Sequence, residues 1–122
     1  PLILVAEDDD SNFKLIKAII GKKCDIQWAK NGEEIVALFK EYGKEAKAIL
    51  MDIKMPVMNG LDATKIIREE NKEIPIIMQT AYAFSSDKEN AMNAGASEVL
   101  VKPITLSILR GTLTKYFPEL VW

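Results

Sequence analysis

Carboxylate, hydroxyl and ammonium side chains stand at the ends of four apolar runs in this 122-residue chain. Glu7, Asp8, Asp9 and Asp10 follow LILVA, Asp52 follows AILM, Thr80 follows IPIIMQ, and Lys102 follows VLV just before Pro103. If these groups converge, the acids repel one another: two like charges 4 Å apart cost roughly 4 kcal/mol at an effective dielectric near 20. A fold tolerates that when a cation resolves it. Oxygen donors without His or Cys select a hard ion, Mg²⁺ or Mn²⁺, over Zn²⁺. Mg²⁺ takes one or two carboxylates, keeps waters, and leaves room for phosphate oxygens. Glu7 and Asp8, which abut the first run, are the expected metal-binding pair. Lys102 is placed to reach Asp52 as an ion pair, whereas without the acids it would be a surface lysine that snorkels. Thr80 brings a hydroxyl to the same rim. Each group also has a plainer reading. Asp52 is a common turn residue, and Asp9 and Asp10 fit a solvated turn in which Asp10 or Ser11 caps the next helix.

Convergence depends on the elements that carry these residues. Five short apolar runs, Leu2–Ala6, Ile26–Ala29, Ala48–Met51, Ile74–Met78 and Val99–Val101, alternate with stretches of helical period. Several runs are apolar at nearly every residue, as expected of strands covered on both faces. Phe13, Ile16 and Ile20 share one helical face with Ile19 beside it, and Ile35, Leu38, Phe39 and Tyr42 recur at helical spacing. Asn31 and Glu34 predict a capping box. A third helix is expected from Met58 or Asn59 to Asn71, burying Leu61, Ile66 and Ile67, with Asn59-Gly60 turning into it. A fourth spans 85–93 and stops at Ala94-Gly95. A fifth starts near Thr105, buries Leu106, Leu109, Leu113 and Phe117, and is weakened at Gly111. Strict alternation predicts one compact α/β domain over 1–122, a doubly wound parallel sheet of (βα)₅ type. Pro75 fits the first strand position and not a central one. In such a sheet ligands bind at the carboxyl ends of the strands, which is where all four polar groups fall.

Composition removes other classes of function. The net charge is −2, from 16 basic and 18 acidic residues, so no nucleic acid or anionic membrane partner is expected. There is no histidine, which removes Ser-His-Asp and Cys-His chemistry, the usual zinc sites, and a phosphohistidine on this chain itself. Cys24 is the single cysteine, so no internal disulfide forms and a cytoplasmic setting is expected. No apolar run approaches a membrane span, and Pro1–Ala6 lacks the basic leader of a signal peptide.

Taken together, Glu7-Asp8, MDIKMPVMNG around Asp52, TAYA from Thr80 and LVKPI around Lys102 resemble the receiver domain of bacterial two-component response regulators. The resemblance covers about Leu2 to Phe117 and implies the flavodoxin-like strand order 2-1-3-4-5. By that resemblance, Asp52 takes a phosphoryl group from a phosphohistidine on a histidine kinase or histidine phosphotransfer domain. Asp8, Asp52 and the Lys54 main-chain carbonyl hold Mg²⁺ (or Mn²⁺), and Glu7 often acts through water. Thr80 is the switch hydroxyl, Lys102 the cation that pairs with the phosphoryl group, and Lys102-Pro103 is expected to be cis. Side chains at Lys54 and Tyr82 tune hydrolysis, with Tyr82 shielding the site, and Ala81 leaves room for the phosphoryl group. Val99 stands where the family often has an aromatic switch residue. The fourth helix, fifth strand and fifth helix are the implied contact face, with a weak homodimer possible there, and the first helix is the implied kinase contact.

Three other functions are compatible with a similar sheet. An aspartate-nucleophile Mg²⁺ phosphohydrolase would want a second acid where Lys54 stands. A flavodoxin-like cofactor binder would want a Ser/Thr/Gly-rich loop where EDDDSN stands. A receiver-like domain that is never phosphorylated would have lost one of the key groups. The motif wording and the start at Pro1 favour the receiver of a hybrid sensor kinase over a stand-alone regulator.

Overall fold

The computed structural model describes residues 1–81 and 85–122. Among these, strands and helices alternate strictly: β1 Leu2–Ala6, α1 Asp10–Ile20, β2 Asp25–Ala29, α2 Gly32–Tyr42, β3 Ala46–Asp52, α3 Gly60–Glu70, β4 Ile76–Thr80, α4 Ser85–Ala94, β5 Glu98–Val101 and α5 Leu106–Tyr116. The strands form one parallel sheet in the order β2-β1-β3-β4-β5, the doubly wound arrangement that the sequence predicts.

The near-continuous apolar runs have a direct cause. Side chains alternate between the two faces of a strand, and both faces here are covered. Ile3, Val5, Ala48, Leu50 and Ile77 pack under α1 and α5, against Ile16, Ile19, Ile20, Leu109 and Leu113. Leu4, Ala6, Ile49, Met51, Ile76 and Met78 pack on the other face, against Ile35 and Phe39 of α2, Ala63 and Ile67 of α3, and Ala91 of α4. Each fully buried large side chain contributes about 1.5–3 kcal/mol, so β1, β3 and β4 are the rigid floor of the molecule.

Helix starts follow local chemistry. Asn31 caps α2 by accepting from Glu34 N–H, and Glu34 reaches back to Lys30 N–H, which is the expected box displaced by one residue. Asp9, not Asp10 or Ser11, caps α1 by accepting from Asn12 N–H. Pro75 lies just outside β4, where its carbonyl still accepts from Ile49 N–H. Gly95 ends α4 with φ +117°, a conformation that favours glycine.

The helix faces depart from expectation in two places. In α3, Ala63, Thr64 and Ile67 are buried while Leu61 and Ile66 are half-buried, because the small pair allows close approach to the sheet. In α5, Leu106 is 47% exposed and Thr112 is buried in its stead; Leu109 and Leu113 set the roll of the helix, which turns Leu106 outward. Phe117, partly buried, lies just past the end of α5.

Candidate functional site

Four strand ends deliver the site. Glu7 follows β1, where its N–H donates to Ala29 O at 2.9 Å. Asp52 ends β3, and the next N–H, of Ile53, donates to Gln79 O at 3.0 Å. Thr80 ends β4, and its carbonyl accepts from Lys102 N–H at 2.7 Å, just past β5. Continued strand pairing therefore holds each main chain rigidly where its functional side chain departs.

The loop after Asp52 is sharply folded. Val57 has φ +68° between Pro56 and Met58, and Met58 N–H donates to Pro56 O at 2.7 Å, a classic γ-turn. A β-branched residue in this region carries about 1–3 kcal/mol of strain. Asn59 then caps α3 by accepting from Asp62 N–H. Gly60 is required by proximity: a Cβ there would stand 2.1 Å from the Asp52 carbonyl oxygen.

These constraints gather the acids. Carboxylate oxygens of Glu7, Asp8 and Asp52 lie within 4.8 Å of one another. Glu7 and Asp52 are buried, at 0% and 6% exposure, while Asp8 is exposed. Lys102 Nζ stands 3.0 Å from Asp52 Oδ2, as its place in the sequence predicts, and 3.2 Å from Glu7 Oε1, which the sequence did not reveal. The Lys102-Pro103 bond is cis. The Thr80 hydroxyl donates to Asp87 Oδ2 of α4 at 3.3 Å. Lys54 and Ala81 are exposed, and Val99 is partly buried against the face covered by α2, α3 and α4. Tyr82 lies outside the described residues.

Crowding shows in the protonation of the acids. Burial first, then a hydrogen bond and the negative charge of Asp52, push the Glu7 carboxyl up to about 7, against the opposing pull of Lys102 and the Asp9 N–H. Burial by itself lowers the Lys102 pKa, but the hydrogen bond and charge of Asp52, with Glu7 added, raise it above its ordinary value. Glu7 therefore holds a proton in the folded, metal-free protein that the unfolded chain releases near pH 4.5. Stability present below that pH is lost as pH rises towards 7. Urea unfolding of metal-free protein is expected to give a free energy on the order of 2 kcal/mol higher at pH 5 than at pH 8. Saturating Mg²⁺ is expected to remove that difference, since a ligating carboxylate is already deprotonated.

Three contributors escaped the sequence reading. Asp87 carried no signal beyond being an acid in the first turn of a helix. Trp28 of β2 donates from its indole N–H to the Glu7 carbonyl at 2.8 Å. Gln79, 1% exposed on β4, lines a cavity of about 50 Å³ with Asn12, Leu15, Ile16, Lys102, Pro103 and Ile104. Its Nε2 has no partner among the described residues.

Residues 3–114 match the family model of the response regulator receiver domain. The chain belongs to that family. Relatives of this receiver domain include hybrid signal transduction histidine kinase I of Dictyostelium discoideum, 41% identical over 96% of this chain but only 7% of that protein. The chain thus spans a small part of the hybrid kinases it matches. The polar-differentiation response regulator DivK of Brucella anthropi is 30% identical and covered over 96% of both chains. Among solved structures, the receiver domain of sensor histidine kinase PA1611 from Pseudomonas aeruginosa PAO1 aligns with TM-score 0.87 and 30% identity, over 97% of this chain and 98% of that one. That structure has a magnesium ion coordinated in its active-site cleft. As a receiver domain the chain is a signalling phosphoacceptor module, and receiver domains work with kinases and phosphotransfer proteins. Among the described residues no helix is long and apolar enough to cross a membrane.

Proposed function

We propose that Asp52 is the phosphoryl acceptor of this receiver domain and that residues 1–122 form the working unit. The observation that carries the proposal is the Asp52 carboxylate itself. It is buried at a strand end, 3.0 Å from a lysine, and in reach of two further acids. An Asp52 oxygen attacks the phosphorus of a phosphohistidine on a histidine kinase or phosphotransfer domain. The O–P bond forms as the P–N bond breaks, and that electron pair leaves with the imidazole, which solvent protonates.

An all-oxygen donor set fits a hard ion. Glu7, Asp8, Asp52 and the Lys54 main-chain carbonyl would hold Mg²⁺, or Mn²⁺ in its place. When bound, the ion supplies positive charge to the phosphoryl oxygens. Lys102 provides a second, fixed cation at the acceptor oxygen, and transfer of this kind depends on positioning and charge more than on covalent machinery. The product adds about −1.5 to −2 charges and three acceptor oxygens beside Thr80. For the Thr80 hydroxyl to serve one of them, it exchanges Asp87 for the phosphoryl group, which releases a tie to α4 and biases the position of that helix. Val99 offers no ring to follow that movement.

Met92 of α4, Val101 of β5 and Leu106 of α5 are large exposed apolar residues, which supports a contact face on these elements and a weak homodimer through it. A cytoplasmic setting and a place within a hybrid sensor kinase are the readings we adopt, with a stand-alone regulator similar to DivK as the second. Transfer of labelled phosphate from candidate phosphohistidine proteins tests the partner.

The acceptor itself is tested by incubation with Mg²⁺ and acetyl phosphate. A single hydroxylamine-sensitive phosphoryl group that forms only with the metal is expected, and metal-independent modification would overturn the proposal. Tyr82→Ala is expected to shorten the lifetime of that group severalfold, measured as release of inorganic phosphate; an unchanged lifetime removes the shielding role of Tyr82.

A further inference from the structure

We propose that Trp28 is a positioning residue for the acidic loop, acting through the Glu7–Asp8 peptide to set where the Asp8 carboxylate stands relative to Asp52. The inference rests on reading Glu7, Asp8 and Asp52 as the metal site.

Glu7 and Asp52 are buried, and Lys102 bonds both. Asp8 is exposed, so its carboxylate is placed by its backbone. The peptide that precedes Asp8 carries the Glu7 carbonyl, and a peptide is planar, so fixing that oxygen fixes the plane from which Asp8 departs. Trp28 Nε1 donates to this oxygen at 2.8 Å. One residue on, the Ala29 carbonyl accepts from the Glu7 N–H at 2.9 Å. Two successive residues of β2 thus hold the Glu7 main chain on both sides.

The indole is itself held. Trp28 pairs with Val5 in the β1–β2 register. Its ring stacks on Phe13 of α1, with centroids 3.9 Å apart and planes at 1°. Lys30 Nζ lies 4.7 Å from the ring and 3.7 Å from Asp10 Oδ1. A stack of this kind contributes about 0.5–1.5 kcal/mol beyond the area it buries and leaves the N–H one direction to point. Partners that orient ligands from behind commonly govern metal affinity by 10-fold to 100-fold.

The test is a Mg²⁺ titration of the ¹⁵N-labelled chain followed by NMR, with Trp28→Phe and Trp28→Tyr, which keep an aromatic ring against Phe13 and remove the indole donor. The Trp28 indole signal, assigned by its loss in Trp28→Phe, is expected to shift saturably with Mg²⁺. The Trp122 indole, which donates to Thr114 Oγ1 at 3.0 Å, serves as the internal control and is expected to stay. Both variants are expected to weaken Mg²⁺ binding about tenfold, read from backbone amides around Asp8 and Asp52. Affinities within about twofold of the parent in both variants overturn the inference. So does a lower unfolding midpoint with unchanged affinity, which would mark a purely structural tryptophan. A parent protein whose amides around Asp8 and Asp52 do not respond to Mg²⁺ overturns the metal-site reading itself, and the inference with it.

Discussion

Asp52→Asn is expected to lower acyl-phosphate formation from acetyl phosphate by on the order of 10³-fold or more, with the fold retained. The amide keeps the shape of the side chain but has no anionic oxygen to attack phosphorus, so the loss falls on the chemical step. Stability responds in two opposing directions. Neutralising Asp52 removes a partner 3.0 Å from Lys102, but it also relieves repulsion among three acids grouped within 4.8 Å. Lys102 keeps Glu7 at 3.2 Å. The unfolding midpoint is therefore expected to move by only about 5 °C. Mass spectrometry with hydroxylamine treatment reads the first effect, and a thermal melt the second. Phosphorylation that persists in a folded variant would place the acceptor elsewhere.

The second large effect is expected from Lys102→Met. Glu7 and Asp52 are both buried, and Lys102 is a cation that bonds the two of them. Its removal leaves the Asp52 carboxylate buried without that compensation, which typically costs about 3–5 kcal/mol. In metal-free protein this variant is expected to lose on the order of 3 kcal/mol of unfolding free energy. Mg²⁺ is expected to return much of it, because the ion brings the missing positive charge to the same oxygens. The site, more negative without the lysine, is expected to bind Mg²⁺ more tightly, whereas acyl-phosphate formation falls by about 10²-fold for want of charge at the acceptor oxygen. Tighter metal binding with slower transfer is the signature. A stability loss that ignores Mg²⁺, or a transfer rate equal to the parent's, would contradict the assigned role.

Much of this was legible in the one-dimensional pattern. Apolar residues at nearly every position of β1, β3 and β4 demand strands covered on both faces, and strict alternation with helices demands parallel pairing. Parallel pairing then puts the carboxyl ends of all strands along one edge, so Glu7, Asp8, Asp52, Thr80 and Lys102 had to meet there whatever the loops did. Their chemistry is a matter of residue type: a carboxylate donor set with no histidine in the chain suits a hard cation.

Other features depended on direction, which sequence spacing does not encode. The cap of α1 fell to Asp9 because its carboxylate, and not that of Asp10 or the hydroxyl of Ser11, meets the Asn12 N–H. Leu106 faced outward because the roll of α5 is set by how Leu109 and Leu113 seat on the sheet. The second partner of Lys102, the bond from Thr80 to Asp87, and the bond from Trp28 to the Glu7 carbonyl join groups far apart in sequence across different elements. The sequence by itself determined which groups share the edge of the sheet, since strand period and connection rules are local and topological. Only the tertiary structure decided which atoms face one another there, because register, helix roll and side-chain rotamer are settled together by packing.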